Sequence, residues 1–94
     1  MSTDLIFGKA KYTVPFTCVC PNDKEVIEYE AVLTSDKVIM VEDIISFVKS
    51  FKDKSLYQED ITDKISLHFN CSVCTFGTHQ GVFIRCKVKK RPMI

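Results

Sequence analysis

Lys9-Ala10-Lys11-Tyr12-Thr13-Val14-Pro15-Phe16-Thr17-Cys18-Val19-Cys20-Pro21 is the stretch whose pattern orients the whole chain. Ala10, Tyr12, Val14, Phe16, Cys18 and Cys20 fall on one side of a period-two pattern, which argues for a strand with one buried face. Pro21 cannot extend a ladder, and Pro21-Asn22-Asp23-Lys24 is turn chemistry, because proline presets φ and Asn and Asp bond back to the chain. Val26 to Thr34 repeats the alternation, with Ile27, Tyr29, Ala31 and Leu33 on one face and Glu28, Glu30 and Val32 on the other. The two runs predict a hairpin. A cysteine at a strand end, just before a proline, can face a pocket rather than a core.

Beyond the hairpin the period becomes helical. Val41, Ile44, Ile45, Val48 and Phe51 form one apolar stripe, with Glu42, Asp43, Lys49 and Lys52 on the wetter side. Acids at the start and lysines at the end suit the helix dipole. A shorter helix is expected from Gln58 to Ile65, with Ser55 as a cap. After Ser66, Leu67, Phe69, Cys71 and Val73 alternate with His68, Asn70, Ser72 and Cys74, which predicts a third strand. Gly77-Thr78-His79-Gln80-Gly81 reads as a hairpin loop and Val82 to Val88 as the last strand. The order is ββααββ. One α+β domain over residues 1–94, with two helices on one face of an antiparallel sheet, is the packing this order favours.

Composition narrows the function classes. The chain has 94 residues, 46% of them hydrophobic and 27% charged, which suits one small globular domain and leaves no room for two. A net charge of +1 advertises no basic surface on the single chain, although an assembly can gather local patches. No apolar run approaches the ~18 residues of a membrane span, and the start lacks the basic and apolar regions of a secretory signal. The five cysteines therefore read as thiols in a reducing compartment, and the expected location is cytoplasmic.

Cys18/Cys20 is a C-x-C pair within a strand, and Cys71 and Cys74 would face opposite ways on a regular strand. Neither matches the spacing of a structural zinc site, so no metal ligands are assigned. Cys18 is expected in the core, and His68 and His79 as surface or hairpin residues. The tail Lys87, Lys89, Lys90 and Arg91 is expected as a solvated edge of the sheet.

Phe16-Thr17-Cys18-Val19-Cys20-Pro21, Ser50-Phe51-Lys52 through Tyr57-Gln58-Glu59-Asp60, and Phe76 through Ile84 occur in the order of three family motifs. These are an F-T-x-x-C-P nucleophile motif, an S-F-R…F-H-E-D stretch and an F-x-P-R-G-G-I-x-I hairpin. On them, over roughly residues 10–90, the chain resembles the QueF family of the tunnelling fold (T-fold), whose members act on the nitrile of 7-cyano-7-deazaguanine (preQ0). The resemblance implies Cys20 as the nucleophile and Glu59 as the carboxylate that holds the heterocycle. A thiolate adds to an electrophilic nitrile carbon to give a thioimide, and a carboxylate can accept two hydrogen bonds from the amide and amino edge of a deazaguanine.

Departures from the pattern are specific. The family aspartate seven residues after the nucleophile falls on Ile27, so Glu28 is the expected proton shuttle, with Glu25 second. The family histidine before the anchoring glutamate is Gln58, expected to support substrate binding, as is Glu42. The first glycine of the last hairpin's pair is Gln80. Glu42-Asp43-Ile44-Ile45-Ser46-Phe47-Val48-Lys49 stands where the reductase branch carries E-S-K-S-L-K-x-Y for its nicotinamide cofactor.

The resemblance therefore favours the shorter QueF-like amidinotransferases, which open the thioimide with ammonia as in archaeosine formation. It implies no redox cofactor, a deazaguanine within transfer RNA or DNA as substrate, and a ring-shaped homo-oligomer with sites at its interfaces. The alternatives are an NADPH-dependent nitrile reductase, or a non-catalytic module that binds a deazapurine or a metal.

Overall fold

In the computed structural model, which describes residues 1–6 and 8–91, the chain forms five strands and two helices. They are β1 (Ser2–Ile6), β2 (Lys9–Val19), β3 (Val26–Ser35), α1 (Val41–Lys49), α2 (Gln58–Phe69), β4 (Ser72–His79) and β5 (Val82–Val88). The strands make one sheet in the order β1-β2-β3-β4-β5, with every neighbouring pair antiparallel. The expected α+β arrangement is present, with one more strand than the six-element order. β1 escapes a pattern-based reading because its five residues carry no apolar alternation, and Leu5 is exposed. Pairing with β2 along its whole length defines that strand.

The period-two readings of β2 and β3 hold in detail. Tyr12, Val14, Phe16 and Cys18 on β2, and Ile27, Tyr29, Ala31 and Leu33 on β3, are all buried on the helix-covered face. Glu28 and Glu30 are exposed on the other. Ile44 and Val48 of α1, Phe51 just beyond it, and Ile61 and Ile65 of α2 fill the core from the helix side. The rings of Phe16 and Tyr29 stack at 5.3 Å between centroids.

The second helix runs four residues past Ile65, through Ser66–Phe69, where the alternation predicts the start of a strand. Leu67 and Phe69 alternate with polar neighbours, but Leu67 projects into solvent. The helix stops at Asn70, which takes φ 51°, a left-handed conformation that asparagine tolerates, and β4 then begins at Ser72. Ser55 does not cap the helix; Tyr57 stands at the N-cap position without a side-chain capping bond. Ser55 instead pairs in a short parallel bridge with Val19. Val19 N–H donates to the Lys54 carbonyl (3.0 Å), and Leu56 N–H donates to the Val19 carbonyl (3.2 Å). This stitch lays the α1–α2 connection against the end of β2, beside Cys20.

The last hairpin is tighter than expected. β4 continues through Gly77, Thr78 and His79, and only Gln80 and Gly81 form the loop. Both have positive φ (51° and 81°), as a two-residue type I′ turn requires. Gly77 is a strand residue directly opposite Tyr29, and a Cβ there would lie 2.5 Å from Tyr29 Cδ1. Its glycine is set by the approach of the Tyr29 ring. Gly77→Ala is expected to cost about 1–3 kcal/mol by overpacking, read as a lower urea midpoint at unchanged m-value. An unchanged midpoint would show that the ring has room to move.

Candidate active site

Cys20 follows the last residue of β2 and is 5% exposed. Its N–H donates to the Glu25 carbonyl (2.8 Å), and its carbonyl accepts from Lys24 N–H (3.0 Å). These bonds close the 20–25 loop into a fixed turn. Within it Asp23 bends back, its Oδ1 accepting from Glu25 N–H at 3.0 Å. The proline and Asx chemistry visible in the sequence thus sets the backbone under the thiol.

Two further elements converge here. The N-terminus of α2 brings Gln58 and Glu59 to a cleft of about 90 Å³ that Cys20, Ile27, Tyr29 and Ile84 also line. The Tyr57 hydroxyl donates to Asn22 Oδ1 at 3.0 Å, tying this helix start to the Cys20 loop. From the other side the β4–β5 hairpin presents His79 and Gln80. His79 Nε2 lies 2.8 Å from Asp23 Oδ2, and Gln80 Nε2 donates to the same oxygen at 2.8 Å. His79 Nε2 also lies 3.5 Å from Glu25 Oε2.

The ligand atoms of Cys20, Asp23 and His79 all fall within 4.8 Å of one another. The Asp23 carboxyl is held far below the usual carboxylate range by the Glu25 amide first, then by His79 and Gln80, with a smaller contribution from the Cys20 thiol. It is a standing anion beside the thiol and the imidazole.

The thiols divide by environment. Cys18 is fully buried and donates to the Lys54 carbonyl at 3.1 Å, and burial pushes its thiol up. It fastens the α1–α2 connection to β2. Cys71 is pushed up to about 11 by burial. Tyr29 is pushed up to about 12, by burial first and then by the acidic groups of Cys18, Cys20, Cys86 and Glu59 around it. Its hydroxyl remains a protonated donor at the cleft.

The sequence-derived site residues have distinct fates. Cys20 and Glu59 share the cleft. Gln58 lines it too, but its Nε2 donates to the Thr75 carbonyl (3.2 Å), Thr75 Oγ1 (3.1 Å) and the Ile84 carbonyl (3.1 Å). Its donors are spent on holding α2 to β4 and β5. Gln58→Leu should therefore destabilise by about 2 kcal/mol, since buried acceptors lose their donor. A chemical-denaturation midpoint matching the wild type would refute that assignment.

Glu28 is not brought to Cys20. It pairs with Thr17 on the sheet face opposite to Ile27 and Tyr29, where it borders a broad open hollow with Glu30 and Phe83. The register places Ile27, not Glu28, in the cleft. A one-residue shift in a strand reverses the face. Glu42 is exposed in the first turn of α1 and does not line the cleft. Glu25, the second choice for the shuttle, sits beside His79.

Asp23 and His79 stand beside the Cys20 thiol, although the sequence presents them only as a turn former and a hairpin residue. The available signal is Gln80. A non-glycine residue at a positive-φ turn position is uncommon, and here its side chain is bonded to Asp23.

No protein-family model matches this chain, and no curated protein matches it. Among solved structures it is similar to the crystal structure of the archaeosine synthase QueF-Like in the apo form. The TM-score is 0.76 at 18% identity, over 93% of this chain and 97% of that one. The chain therefore has the fold of that QueF-like enzyme, an α+β tunnelling fold. Among the described residues no helix is long and apolar enough to cross a membrane.

Proposed function

We propose that this protein is a QueF-like amidinotransferase, converting the nitrile of 7-cyano-7-deazaguanine within a nucleic acid to a formamidine. The observation that carries this reading is the convergence of Cys20 and Glu59 in one cleft, with the Asp23–His79 pair against the thiol. The shared fold supports it.

Glu59 accepts hydrogen bonds from the amide and amino edge of the base and fixes its orientation. The Cys20 sulfur adds to the nitrile carbon, one C–N π bond breaks, and the nitrogen takes a proton to give a thioimide. The proton leaving the thiol passes to the Asp23–His79 pair and from there to that nitrogen, the role that the sequence pattern assigns to Glu28. Ammonia then adds to the thioimide carbon, the C–S bond breaks, and the thiolate of Cys20 takes back a proton. The sum is nitrile plus ammonia giving amidine, with no change in oxidation level and hence no need for a nicotinamide.

A cleft of about 90 Å³ is small beside the ~300–1,000 Å³ typical of ligand pockets. A second copy of the chain completing the wall is the economical solution. Both β1 and β5 are edge strands that such assembly would pair.

The test is intact mass after incubation with cyano-deazaguanine. An adduct of the full ligand mass, on one thiol and reversed by ammonia, is expected. NADPH oxidation instead would return the reductase reading. Binding with no adduct would leave a deazapurine-binding module.

A further inference from the structure

Cys20, Asp23 and His79 offer one sulfur, one carboxylate oxygen and one imidazole nitrogen, from a closed turn and a hairpin tip. Bond lengths of about 2.3 Å to sulfur and 2.0–2.2 Å to nitrogen or oxygen imply tetrahedral ligand–ligand edges of about 3.3–3.7 Å. The observed spread of up to 4.8 Å thus needs the longer separations to close by about 1 Å and the 2.8 Å His79–Asp23 pair to open by about 0.5 Å, within reach of side-chain rotation at exposed Asp23 and half-buried His79. Asp23 is already oriented as a ligand, since the Glu25 amide holds Oδ1 and Oδ2 is turned toward His79. Thiolate and carboxylate together would balance a divalent charge, with neutral imidazole as third ligand. The sulfur and nitrogen donors select zinc-like ions over magnesium or calcium. Three protein ligands leave a fourth position open to the cleft or to Glu25, whose Oε2 is 3.5 Å from His79 Nε2.

We propose that Cys20, Asp23 and His79 form a reversible site for a zinc-type divalent cation, and that the bound ion takes the Cys20 sulfur out of reaction. Binding releases the thiol proton to solvent and forms a sulfur–metal bond, so the filled site carries no free nucleophile. The site stands on its own geometry. Only its consequence as a brake on amidine formation rests on the function proposed above.

The experiment titrates the reduced full-length protein with Co²⁺ and then Zn²⁺. One Co²⁺ per chain is expected, with sulfur-to-cobalt charge-transfer absorption that Zn²⁺ displaces. Cys20→Ala should lose that absorption. His79→Ala and Asp23→Asn, checked as folded by circular dichroism, should weaken binding by at least the ~10–100-fold that loss of an outer-shell partner costs. In parallel, Zn²⁺ should slow iodoacetamide labelling of Cys20, followed by peptide mass, in the wild type but not in His79→Ala. Absence of the charge-transfer band, its survival in Cys20→Ala, or labelling indifferent to Zn²⁺ would each overturn the site. None of these readouts uses a nitrile, so the site can fail while the enzymatic reading stands, and the reverse.

Discussion

Cys20→Ala is expected to abolish the covalent adduct with cyano-deazaguanine and to lower ammonia-dependent amidine formation by more than about 10³-fold. The size follows from what is removed: without a sulfur there is no thioimide, and ammonia must attack the nitrile directly. The substitution deletes one small buried atom, so unfolding should shift by only about 1 kcal/mol. Loss of activity can therefore be separated from loss of fold. The other cysteines make an internal control. Cys18 and Cys71 are enclosed and raised by burial, and neither should carry the adduct. An adduct that persists in Cys20→Ala, mapped to Cys74 or Cys86, would remove Cys20 from the mechanism.

Glu59→Gln should weaken binding of the base by about 100-fold, measured by calorimetry in the Cys20→Ala background so that no covalent step intrudes. Hydrogen bonds to a charged group contribute roughly 1.5–3 kcal/mol each, and the amide presents one N–H donor where the base also presents donors. The substitution keeps shape and removes charge at an exposed position in the first turn of α2, so little change in stability is expected. Affinity within about twofold of the parent would show that Glu59 is only a solvated helix-start acid. The same titration in Gln58→Leu should follow stability more than affinity, because the donors of Gln58 are already committed to Thr75 and Ile84.

The readable and unreadable parts of this chain divide by the range of the interactions. Alternation over Tyr12–Cys18 and Ile27–Leu33 identifies the buried face of both central strands, since a side chain's face depends only on its parity along the strand. The helical stripe at Ile44 and Val48 is equally plain. Leu67 and Phe69 mislead because four residues fit either period, and the stop at Asn70 depends on one left-handed residue. β1 leaves no trace in the pattern because Ser2–Ile6 carries no apolar alternation; it exists through its partner.

At the site, local chemistry points to Cys20 and, through the resemblance, to Glu59. Glu28 is the natural choice from sequence because a carboxylate near the expected offset looks interchangeable with one at it. Strand parity rules otherwise: one residue's shift sends Glu28 through the sheet to the opposite face.

The strand faces, the helix stripe and the turn under Cys20 are all legible in short windows, because each depends on residues within a few positions of one another. Three outcomes are not: His79 and Gln80 meet Asp23, Gln58 is a structural tie, and Ile27 lines the cleft in place of an acid. They depend on where the β4–β5 hairpin and the α2 N-terminus land against the 20–25 loop. That placement is set by pairing register and core packing summed over the whole sheet, which no local window of residues contains.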